Sequence, residues 1–263
     1  MESHLQEKLG ECLHVENLHK LLFELSSPER INIMLELQKQ ELKLSHISHK
    51  LDTTITQTSR NLQRLSEAKV IQKAANNQYQ LTPYGEIVLS LLPSLNFVSN
   101  HQNYFLKYDI SPLPHEFIAR IGELSQGEFS SDILKNIEYA ENNLREADKF
   151  IWIQTDQILK NFIPIIAEKI KQPFDFRFIS PEAVMPPDNK APLPSTLKHV
   201  QKRVLPKVDV MVIVTDHAAG FCLPQKSGQI DYRNINGTAT KFRKWCKDLF
   251  LYYWEKAKPV LPS

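Results

Sequence analysis

The segment that decides the fold of the first half of the chain spans residues 53–71 and reads TTITQTSRNLQRLSEAKVI. Its buried positions are expected to be Ile55 or Thr58, then Leu62 and Leu65. Their spacings of three and four predict one buried stripe on an amphipathic helix from about 54 to 67. Threonine is a mediocre helix former, so several threonines at the front of a helix are unusual. The short hydroxyl side chains therefore need a reason other than helix stability.

The segments around this helix predict seven further elements. Thr54 is the predicted N-cap of the central helix, and Thr82 and Pro83 combine an N-cap residue with a proline at the first helical position. Asn76 and Asn77 tolerate positive φ and predict a hairpin turn. The predicted elements are a helix at 16–25, a helix at 28–38 capped by Ser27, a short strand at 41–44, a short helix at 46–51 capped by Ser45, strands at 70–73 and 78–81, and a helix from 83. Together with the central helix, this is the order of a winged helix-turn-helix, an α+β fold.

Two stretches of the first half resemble ArsR-like and MarR-like regulators. LDTTITQTSRNLQRLSEAKVIQ is similar to their short helix, turn and recognition helix, and NQYQLTPYGEIV is similar to their wing and the helix that follows it. The resemblance covers about residues 15–108. It implies a winged helix-turn-helix DNA-binding domain, which we place at 1–83.

Such a domain would explain the hydroxyl-rich helix. A helix-turn-helix inserts the N-terminal part of its second helix into the major groove, where short side chains let the backbone approach the bases. Hydroxyl, Gln and Arg side chains can bond phosphates or base edges. Residues 41–80 hold six Lys or Arg against three acidic residues, whereas residues 1–108 hold eleven of each. The predicted contacts to duplex DNA are Ser45, Thr54, Thr56, Gln57, Ser59, Arg60, Gln63, Arg64, Lys73, Asn76 and Asn77. The alternative is an adaptor whose winged helix contacts another protein instead of DNA.

The segment 84–111 is predicted to connect the two halves and to form a dimer interface. Its apolar residues recur at helical spacing, and Pro93 is expected to kink or break the helix. A symmetric operator is read by a symmetric protein, so we expect a homodimer. A second interpretation, compatible with the first, is that this segment packs on its own winged helix.

The second half, 112–263, shows strands alternating with helices. The predicted strands lie at 150–154, 174–179, 208–215 and 219–224, and the predicted helices at 115–124, 131–147, 159–170, 196–204 and 238–258, with a helix cap at Ser130 or Ser131 and a proline-rich loop at 181–196. This alternation predicts an α/β domain with helices on the faces of a sheet.

Motifs of the common enzyme classes are absent from the sequence: GxGxxG, GxxxxGK[ST], HExxH and GxSxG. The second half faintly resembles phospholipase D-like domains, but their HxKxxxxD signature is missing. His199 and Lys202 have the wrong spacing, and His217 is followed by Ala-Ala-Gly. We therefore predict no catalytic residues, no metal, no cofactor and no enzymatic activity. A degenerate phospholipase D-like hydrolase is the remaining enzymatic alternative.

Residues 112–258 instead resemble the C-terminal sensor domain of archaeal transcriptional regulators named after a methanogenesis and filamentation regulator. The likeness lies in FIARIGELSQGEF, in the strand-helix-strand set through FDFRFIS, and in DVMVIVTDHAAGFCLP. Archaeal sugar-responsive regulators of the TrmB type have a comparable layout. The resemblance implies a transcriptional regulator with an effector-sensing or dimerisation domain.

An effector pocket is expected at the strand ends beside the proline-rich loop, because sheet ends in α/β domains commonly hold ligands. The predicted pocket residues are Trp152, Gln154, Asp156, Arg177, Ser180, Asp216 and His217. They would bind a small-molecule effector.

The composition sets broader limits. The formal net charge is +2 over 263 residues, so overall charge gives no argument for nucleic acid. Three cysteines without a CxxC pair indicate a reducing cytosol, with a redox switch between Cys222 and Cys246 as a weaker hypothesis. Because the sequence has neither a signal-peptide pattern nor an apolar run of about 20 residues, we expect a cytoplasmic protein without a membrane partner.

Overall fold

The computed structural model describes residues 15–157, 159–171, 173–184 and 201–260. The chain divides into two compact units between Leu92 and Pro93. This boundary lies inside the predicted connecting segment. Most of the predicted proline-rich loop lies outside the described residues. No helix in the described part of the chain is long and apolar enough to cross a membrane.

The first unit has the element order predicted for it. Its elements are α1 (Val15–Leu25), α2 (Pro28–Lys39), α3 (Leu44–Lys50), α4 (Ile55–Glu67), β1 (Ile71–Lys73), β2 (Tyr79–Leu81) and the first part of α5 (Pro83–Asn100). The two strands form an antiparallel hairpin with Ile71 opposite Leu81. The strand predicted at 41–44 is reduced to one bridge, between Leu42 and Tyr79. The unit is built around fully buried side chains such as Met34, Ile47, Leu62 and Leu65.

Three of the four helix caps predicted in this unit, Ser27, Thr54 and Thr82, are present. The Ser27 hydroxyl accepts from the Arg30 N–H, and the Thr54 hydroxyl accepts from the Gln57 N–H at 3.2 Å. The cap predicted at Ser45 is wrong, because α3 already begins at Leu44, with Lys43 at the N-cap position and no side-chain cap bond. Leu44 packs against the core of the unit, and the helix begins two residues earlier than predicted.

The start of α5 is fixed against the hairpin. The Thr82 hydroxyl accepts from the Gly85 N–H at 3.0 Å and donates to the Lys69 carbonyl at 2.7 Å. A Cβ on Gly85 would lie 1.9 Å from the Val70 carbonyl oxygen. The glycine is therefore required by the close approach of two backbones.

Helix α5 continues through Pro93 to Asn100. The helix is therefore not broken at Pro93, and the kink, which was the other expectation, stays a prediction. Proline removes one backbone hydrogen bond, and the turns on both sides remain helical.

The second unit contains an eight-stranded mixed sheet. It comprises the rest of α5, α6 (Gln102–Lys107), α7 (His115–Ala119), a 3₁₀ turn (Ile121–Leu124), β3 (Glu128–Ser130), α8 (Ile133–Glu146), β4 (Phe150–Gln154), α9 (Phe162–Lys169), β5 (Asp175–Pro181), a 3₁₀ turn (Glu182–Val184), β6 (Gln201–Leu205), β7 (Met211–Thr215), β8 (Ala219–Cys222), β9 (Asn234–Gly237), α10 (Thr240–Lys256) and β10 (Lys258–Pro259). The strand order is β10-β6-β5-β4-β7-β8-β9-β3. Strands β4, β5 and β6 are parallel, and every other neighbouring pair is antiparallel.

Helices cover both faces of this sheet, as predicted. Helix α10 covers one face, where Phe242, Trp245 and Phe250 are fully buried. Helices α8 and α9 cover the other, where Leu144 and Ile165 pack on the strands. The protein is thus a mixed α and β structure with one large sheet.

The part of the connecting segment after Pro93 belongs to the second unit. Phe97, Tyr104 and Tyr108 are buried in the core on the α10 face. The Tyr104 hydroxyl accepts from the Leu223 N–H at 2.9 Å, and the Tyr108 hydroxyl donates to Asp231 at 2.7 Å. The interpretation that the whole segment packs on the first half is therefore wrong for these residues.

Several predicted elements of the second unit differ from the structure. Residues 201–204, predicted as helix, lie in strand β6, because parallel pairing with β5 outweighs local helix propensity; residues 196–200 lie outside the described residues. Strands β3, β9 and β10 were not predicted. The helix predicted at 115–124 ends at Ala119 and gives way to the 3₁₀ turn. The cap of α8 is Asp132 rather than Ser130 or Ser131.

Candidate nucleic-acid interface and effector site

The turn between α3 and α4 explains part of the threonine concentration. Asp52 adopts a positive φ of 49° in this turn. The Thr53 and Thr58 hydroxyls lie 2.8 Å apart, and the Thr58 hydroxyl also donates to the Thr54 carbonyl at 3.0 Å. Thr58 is buried beside the leucines of the stripe. Thr53, Thr54 and Thr58 therefore fix the angle at which α4 leaves the turn.

The other face of α4 is exposed. Its N-terminal half presents short hydroxyl, amide and guanidinium side chains to solvent: Thr56, Gln57, Ser59 and Arg60. Gln63 is also exposed, and its amide donates to Glu67 at 2.9 Å. Thr54, although a cap, is exposed as well, as is Ser45 on α3. The predicted contacts on the two helices thus reach the surface, apart from the partly covered Arg64.

Arg64 differs from these residues because its guanidinium is engaged within the unit. It donates to both carboxylate oxygens of Glu24 at 2.9 and 2.8 Å and lies 5.1 Å from the centre of the Phe23 ring. These bonds raise the pKa of Arg64 above its ordinary value. Arg64 therefore ties α4 to α1. Sequence reasoning missed this role because Glu24 is distant along the chain.

The hairpin turn is built by the two asparagines. Asn77 takes a positive φ of 64°. The side-chain amide oxygen of Asn76 accepts a hydrogen bond from the backbone N–H of Gln78 at 3.0 Å. The predicted turn is confirmed, and both side chains are exposed. Lys73 is exposed beside the turn, with its ammonium 5.8 Å from the centre of the Tyr79 ring.

The basic residues near α4 fall into two groups. Lys50 pairs with Glu36 at 2.9 Å, and together with Lys39 it lowers the pKa of that carboxyl. Within the described residues, four cations of this region make no ion pair: Lys43, Arg60, Lys69 and Lys73. The uncompensated positive charge thus lies just before α3, on α4, and before and on the hairpin.

The residues predicted to form the effector pocket do not come together. Asp156 follows the end of β4, whereas Asp216 and His217 follow the end of β7. Strand β7 is antiparallel to its neighbour β4, with Thr215 opposite Ile151. The C-terminal ends of these two strands therefore point in opposite directions, and the residues that follow them lie far apart. The sequence prediction placed all these strand ends beside the proline-rich loop, which would require the strands to run in the same direction.

The remaining predicted pocket residues lie within the packed sheet. The Arg177 guanidinium stacks 4.3 Å from the centre of the Trp152 ring, and Asp175 accepts from both side chains, at 3.1 and 3.0 Å. Gln154 is fully buried and donates to the Val210 carbonyl at 2.8 Å. Ser180 is fully buried, and its hydroxyl makes no hydrogen bond to any of the residues that the structure describes.

Asp216 and His217 instead meet Asp148. The His217 Nε2 atom lies 3.0 Å from an Asp148 oxygen and 3.2 Å from an Asp216 oxygen. Burial alone would raise the pKa of Asp216, but the backbone N–H groups of Lys149 and Asp148 outweigh it and hold that pKa below its ordinary 3.8. One ligand atom from each of the three side chains lies within 4.8 Å of the others, a spacing that could hold a metal ion. Sequence reasoning had expected no metal site.

A separate cavity of about 60 Å³ lies on the face of the sheet that α10 does not cover, between α8, α9 and the strands. Its wall is mainly apolar and includes Ile153, Phe162, Phe178 and Ile213. None of the seven predicted pocket residues lines it. Tyr232, which does line it, donates a hydrogen bond to Asp156 at its edge.

The two cysteines of the second unit are buried on different faces of the sheet, Cys222 with the α8 and α9 cluster and Cys246 with the α10 cluster. Burial and the neighbouring Asp231 raise the pKa of Cys222 to about 12, and burial also raises the pKa of Cys246. Neither thiol is reactive in this state, so the structure does not favour a redox switch.

Comparison with protein-family models gives no match for this sequence. Comparison with curated proteins gives none either. Similar solved structures are found. TrmBL2, an archaeal chromatin protein described with a novel mode of DNA binding, is 14% identical, with a TM-score of 0.44 over 84% of this chain and 88% of that one. Nuc, a phospholipase D family member from Salmonella typhimurium, is 10% identical, with a TM-score of 0.39 over 52% of this chain and 97% of that one.

A third similar structure is the dimethyltransferase RosA from Streptomyces davawensis, which is 11% identical, with a TM-score of 0.28 over 73% of this chain and 67% of that one. The prediction of no enzymatic activity was therefore wrong as a general exclusion, because two of these similar structures are enzymes. At these TM-scores, no likeness identifies a reaction or a partner of this chain.

Proposed function

We propose that the chain is a sequence-specific transcriptional regulator that binds duplex DNA as a homodimer. In this proposal the first unit is a winged helix-turn-helix, α4 enters the major groove, and the β1–β2 hairpin contacts the phosphate backbone. The second unit senses a small-molecule effector. The resemblance of residues 15–108 to ArsR-like and MarR-like regulators supports the same assignment.

One observation carries the proposal: the two faces of α4 have different roles. Leu62, Leu65 and Thr58 hold one face in the core, whereas the opposite face carries short polar side chains around Arg60. Short side chains allow a close approach to base edges, and an unpaired guanidinium can bond guanine or phosphate. Lys73 on the hairpin adds a cation where a wing would meet the backbone of the DNA.

The dimer is supported by helix α5. In the part of α5 that belongs to the first unit, apolar side chains recur along the exposed side at spacings of three and four: Tyr84, Ile87 and Leu91. Ile87 and Leu91 each expose more than half of their surface, at 62% and 61%. Two copies of such a stripe are self-complementary across a two-fold axis.

The decisive experiment measures DNA affinity at several salt concentrations. Fluorescence anisotropy would compare a duplex from upstream of the protein's own gene with a shuffled duplex of equal length. We expect tighter binding to the first. Arg60→Ala should weaken binding and lower the slope of log affinity against log salt by about 1, because one phosphate or base contact is lost.

Lys241→Ala is the matched control, since it removes an exposed cation from the second unit and should leave both affinity and slope unchanged. If the wild-type protein bound neither duplex at about 10 μM in low salt, DNA binding would be refuted. The adaptor function would then be the better assignment. If the wild-type protein bound but Arg60→Ala behaved like the control, the assignment of α4 as the recognition helix would be wrong.

A further inference from the structure

The turn after β7 and the segment before β4 bring three metal-binding side chains together. Strand β7 runs antiparallel to β4, with Thr215 opposite Ile151. Residues that follow β7 therefore lie beside residues that precede β4. This register places Asp216 and His217 next to Asp148, so that a histidine nitrogen and two carboxylate oxygens meet at one end of two central strands.

The three donor atoms have the spacing of ligands around a metal ion. The Nε2 atom of His217 lies 3.0 Å from Oδ2 of Asp148 and 3.2 Å from Oδ2 of Asp216. In a tetrahedral or octahedral site with bonds of about 2.0–2.2 Å, neighbouring donor atoms are about 3 to 3.5 Å apart. Hydrogen bonds have a similar length, so the charges of the groups decide between the two arrangements.

The negative charge of this cluster is not compensated. Among the described residues, no Lys or Arg forms an ion pair with Asp148 or Asp216. Arg243 approaches the turn, but its guanidinium donates to the backbone carbonyls of Thr238 and Asp216. A protonated His217 neutralises only one of the two carboxylates, and a neutral one offers a single ring proton. A divalent cation would accept all three donors and neutralise both carboxylates.

Asp216 is the fixed member of the cluster. Its side chain is only 11% exposed, and its Oδ1 atom accepts from the backbone N–H groups of Asp148 and Lys149 at 3.1 and 3.2 Å. Its Oδ2 atom is left facing His217, with one longer contact of 3.4 Å to the Asp148 N–H. The Thr215 hydroxyl accepts from the His217 N–H at 3.2 Å and fixes the turn. Such hydrogen bonds orient ligands before an ion binds.

We propose that Asp148, Asp216 and His217 bind one divalent transition-metal ion. An imidazole nitrogen with two carboxylates suits Zn²⁺ and similar ions, whereas Mg²⁺ and Ca²⁺ prefer oxygen ligands alone. The side chains of His217 and Asp148 are 48% and 72% exposed, which leaves room for water to complete the coordination. The ion would join the α8–β4 connection to the β7–β8 turn and stabilise the second unit.

The test is a Zn²⁺ titration of the full-length protein without DNA, after a chelator has removed bound metal and has itself been removed. We expect calorimetry to show saturable binding that an about hundredfold excess of Mg²⁺ does not displace. Imidazole ¹⁵N NMR locates the site. The ring signals of His217 should shift with Zn²⁺, whereas those of His115, an exposed histidine elsewhere in the second unit, should not.

Four variants test the ligands at exposed positions. His217→Ala and Asp148→Asn each remove one ligand, so the Zn²⁺ affinity should fall at least about tenfold. The matched controls His115→Ala and Glu138→Gln change exposed side chains of the same types and should bind Zn²⁺ like the wild type. Zn²⁺ should also raise the midpoint of thermal unfolding, followed by tryptophan fluorescence, in the wild type and the controls only. The same melting curves show that each variant is folded.

Two results would overturn the inference. One is the absence of saturable Zn²⁺ binding that shifts the ring signals of His217 in the wild-type protein. The other is a Zn²⁺ affinity of His217→Ala and Asp148→Asn equal to that of the controls. In either case the three side chains form only a hydrogen-bonded cluster. The site lies within the second unit and is measured without DNA, so its outcome is independent of whether the first unit binds a duplex.

Discussion

Gly85 shows how a single residue sets the geometry of the first unit. Since its missing side chain lets α5 approach the Val70 carbonyl, we expect Gly85→Ala to force the helix away from the hairpin. The loss of stability should be about 1–3 kcal/mol or more, as for other overpacked sites. Hydrogen exchange should show lost protection at Ile71–Leu81 and in the first turns of α5. Glu86→Ala, at an exposed neighbouring position, should leave protection unchanged.

Arg64 and Arg60 lie four residues apart on α4 but should respond differently to substitution. Arg64→Ala removes two hydrogen bonds to Glu24 and the contact with Phe23. We expect it to lower the thermal stability of the first unit. Arg60→Ala should leave that stability unchanged and weaken DNA binding. Calorimetry and anisotropy on both variants would check the contrast. Equal stability loss in the two variants would contradict the structural role of Arg64.

Substitutions on α4 and on the β1–β2 hairpin should distinguish sequence specificity from overall affinity for DNA. Gln57 is exposed in the first turn and can pair with adenine through two hydrogen bonds. Gln57→Ala should cost about 1–3 kcal/mol on the preferred operator and little on random duplex. Lys73→Ala, on the hairpin, should weaken both complexes alike, since phosphate contacts carry no sequence information. Competition titrations with both duplexes provide the measurement.

The prediction about α4 fails if Gln57→Ala lowers the two affinities by the same factor. It also fails if Lys73→Ala acts only on the operator. A matched control is Gln72→Ala, which replaces an exposed amide of β1 and should change neither affinity.

Local patterns predicted the elements of the first unit well because each element carries its own signals. Thr54 and Ser27 mark helix starts, the asparagine pair marks the turn, and the leucines mark the buried face of α4. The same reasoning could not find the Arg64–Glu24 pair, since that contact depends on how α1 and α4 pack. It also missed the close approach at Gly85, although the glycine itself was visible in the sequence.

In the second unit, the elements were predicted better than their arrangement. The strand at Met211–Thr215 was found, but its direction relative to β4 was not, and that direction separates Asp216 from Asp156. Strand β6 was predicted to be a helix, because its pairing with β5 is a non-local contact that local sequence patterns do not reveal. The cavity lined by Asn234 was missed for a related reason. Its walls come from segments that are far apart in sequence, and no short motif marks them.

For the whole molecule, two half-buried carboxylates, Asp216 and Asp248, make the second unit sensitive to acid. Burial would raise the pKa of Asp248, but Lys244 and Arg120 hold it below its ordinary 3.8. Asp216 is lowered by backbone N–H groups. An unfolded chain therefore takes up these protons first, so the stability they contribute is present above about pH 4 and lost as the pH falls through the folded values.

The three tryptophans, Trp152, Trp245 and Trp254, all lie in the second unit, so their fluorescence reports its unfolding. We expect the denaturation midpoint to fall steeply below about pH 4. Asp216→Asn cannot titrate and should be less stable at neutral pH but show a shallower decline. An unchanged pH profile in this variant would show that Asp216 does not contribute to the acid sensitivity.

The last prediction concerns assembly through α5. In a two-fold dimer, one substitution appears twice, at facing positions of the same interface. Leu91→Glu would place two uncompensated carboxylates on the apolar stripe, and burying them is unfavourable. We expect a wild-type dimer at tens of micromolar by sedimentation velocity and at least about tenfold weaker association for the variant. Affinity for a palindromic operator should fall with it.

Ser90→Glu introduces the same charge one residue away, on the exposed polar side of α5. It should leave the dimer intact, because the carboxylate remains in water. A monomeric wild-type protein would refute the α5 interface, as would equal association of the two variants. In the proposed dimer, each protomer contributes one α4 to the operator. If Leu91→Glu dissociates the dimer but the variant still binds a half-site, the lower affinity for the whole operator comes from the lost contact with the second half-site.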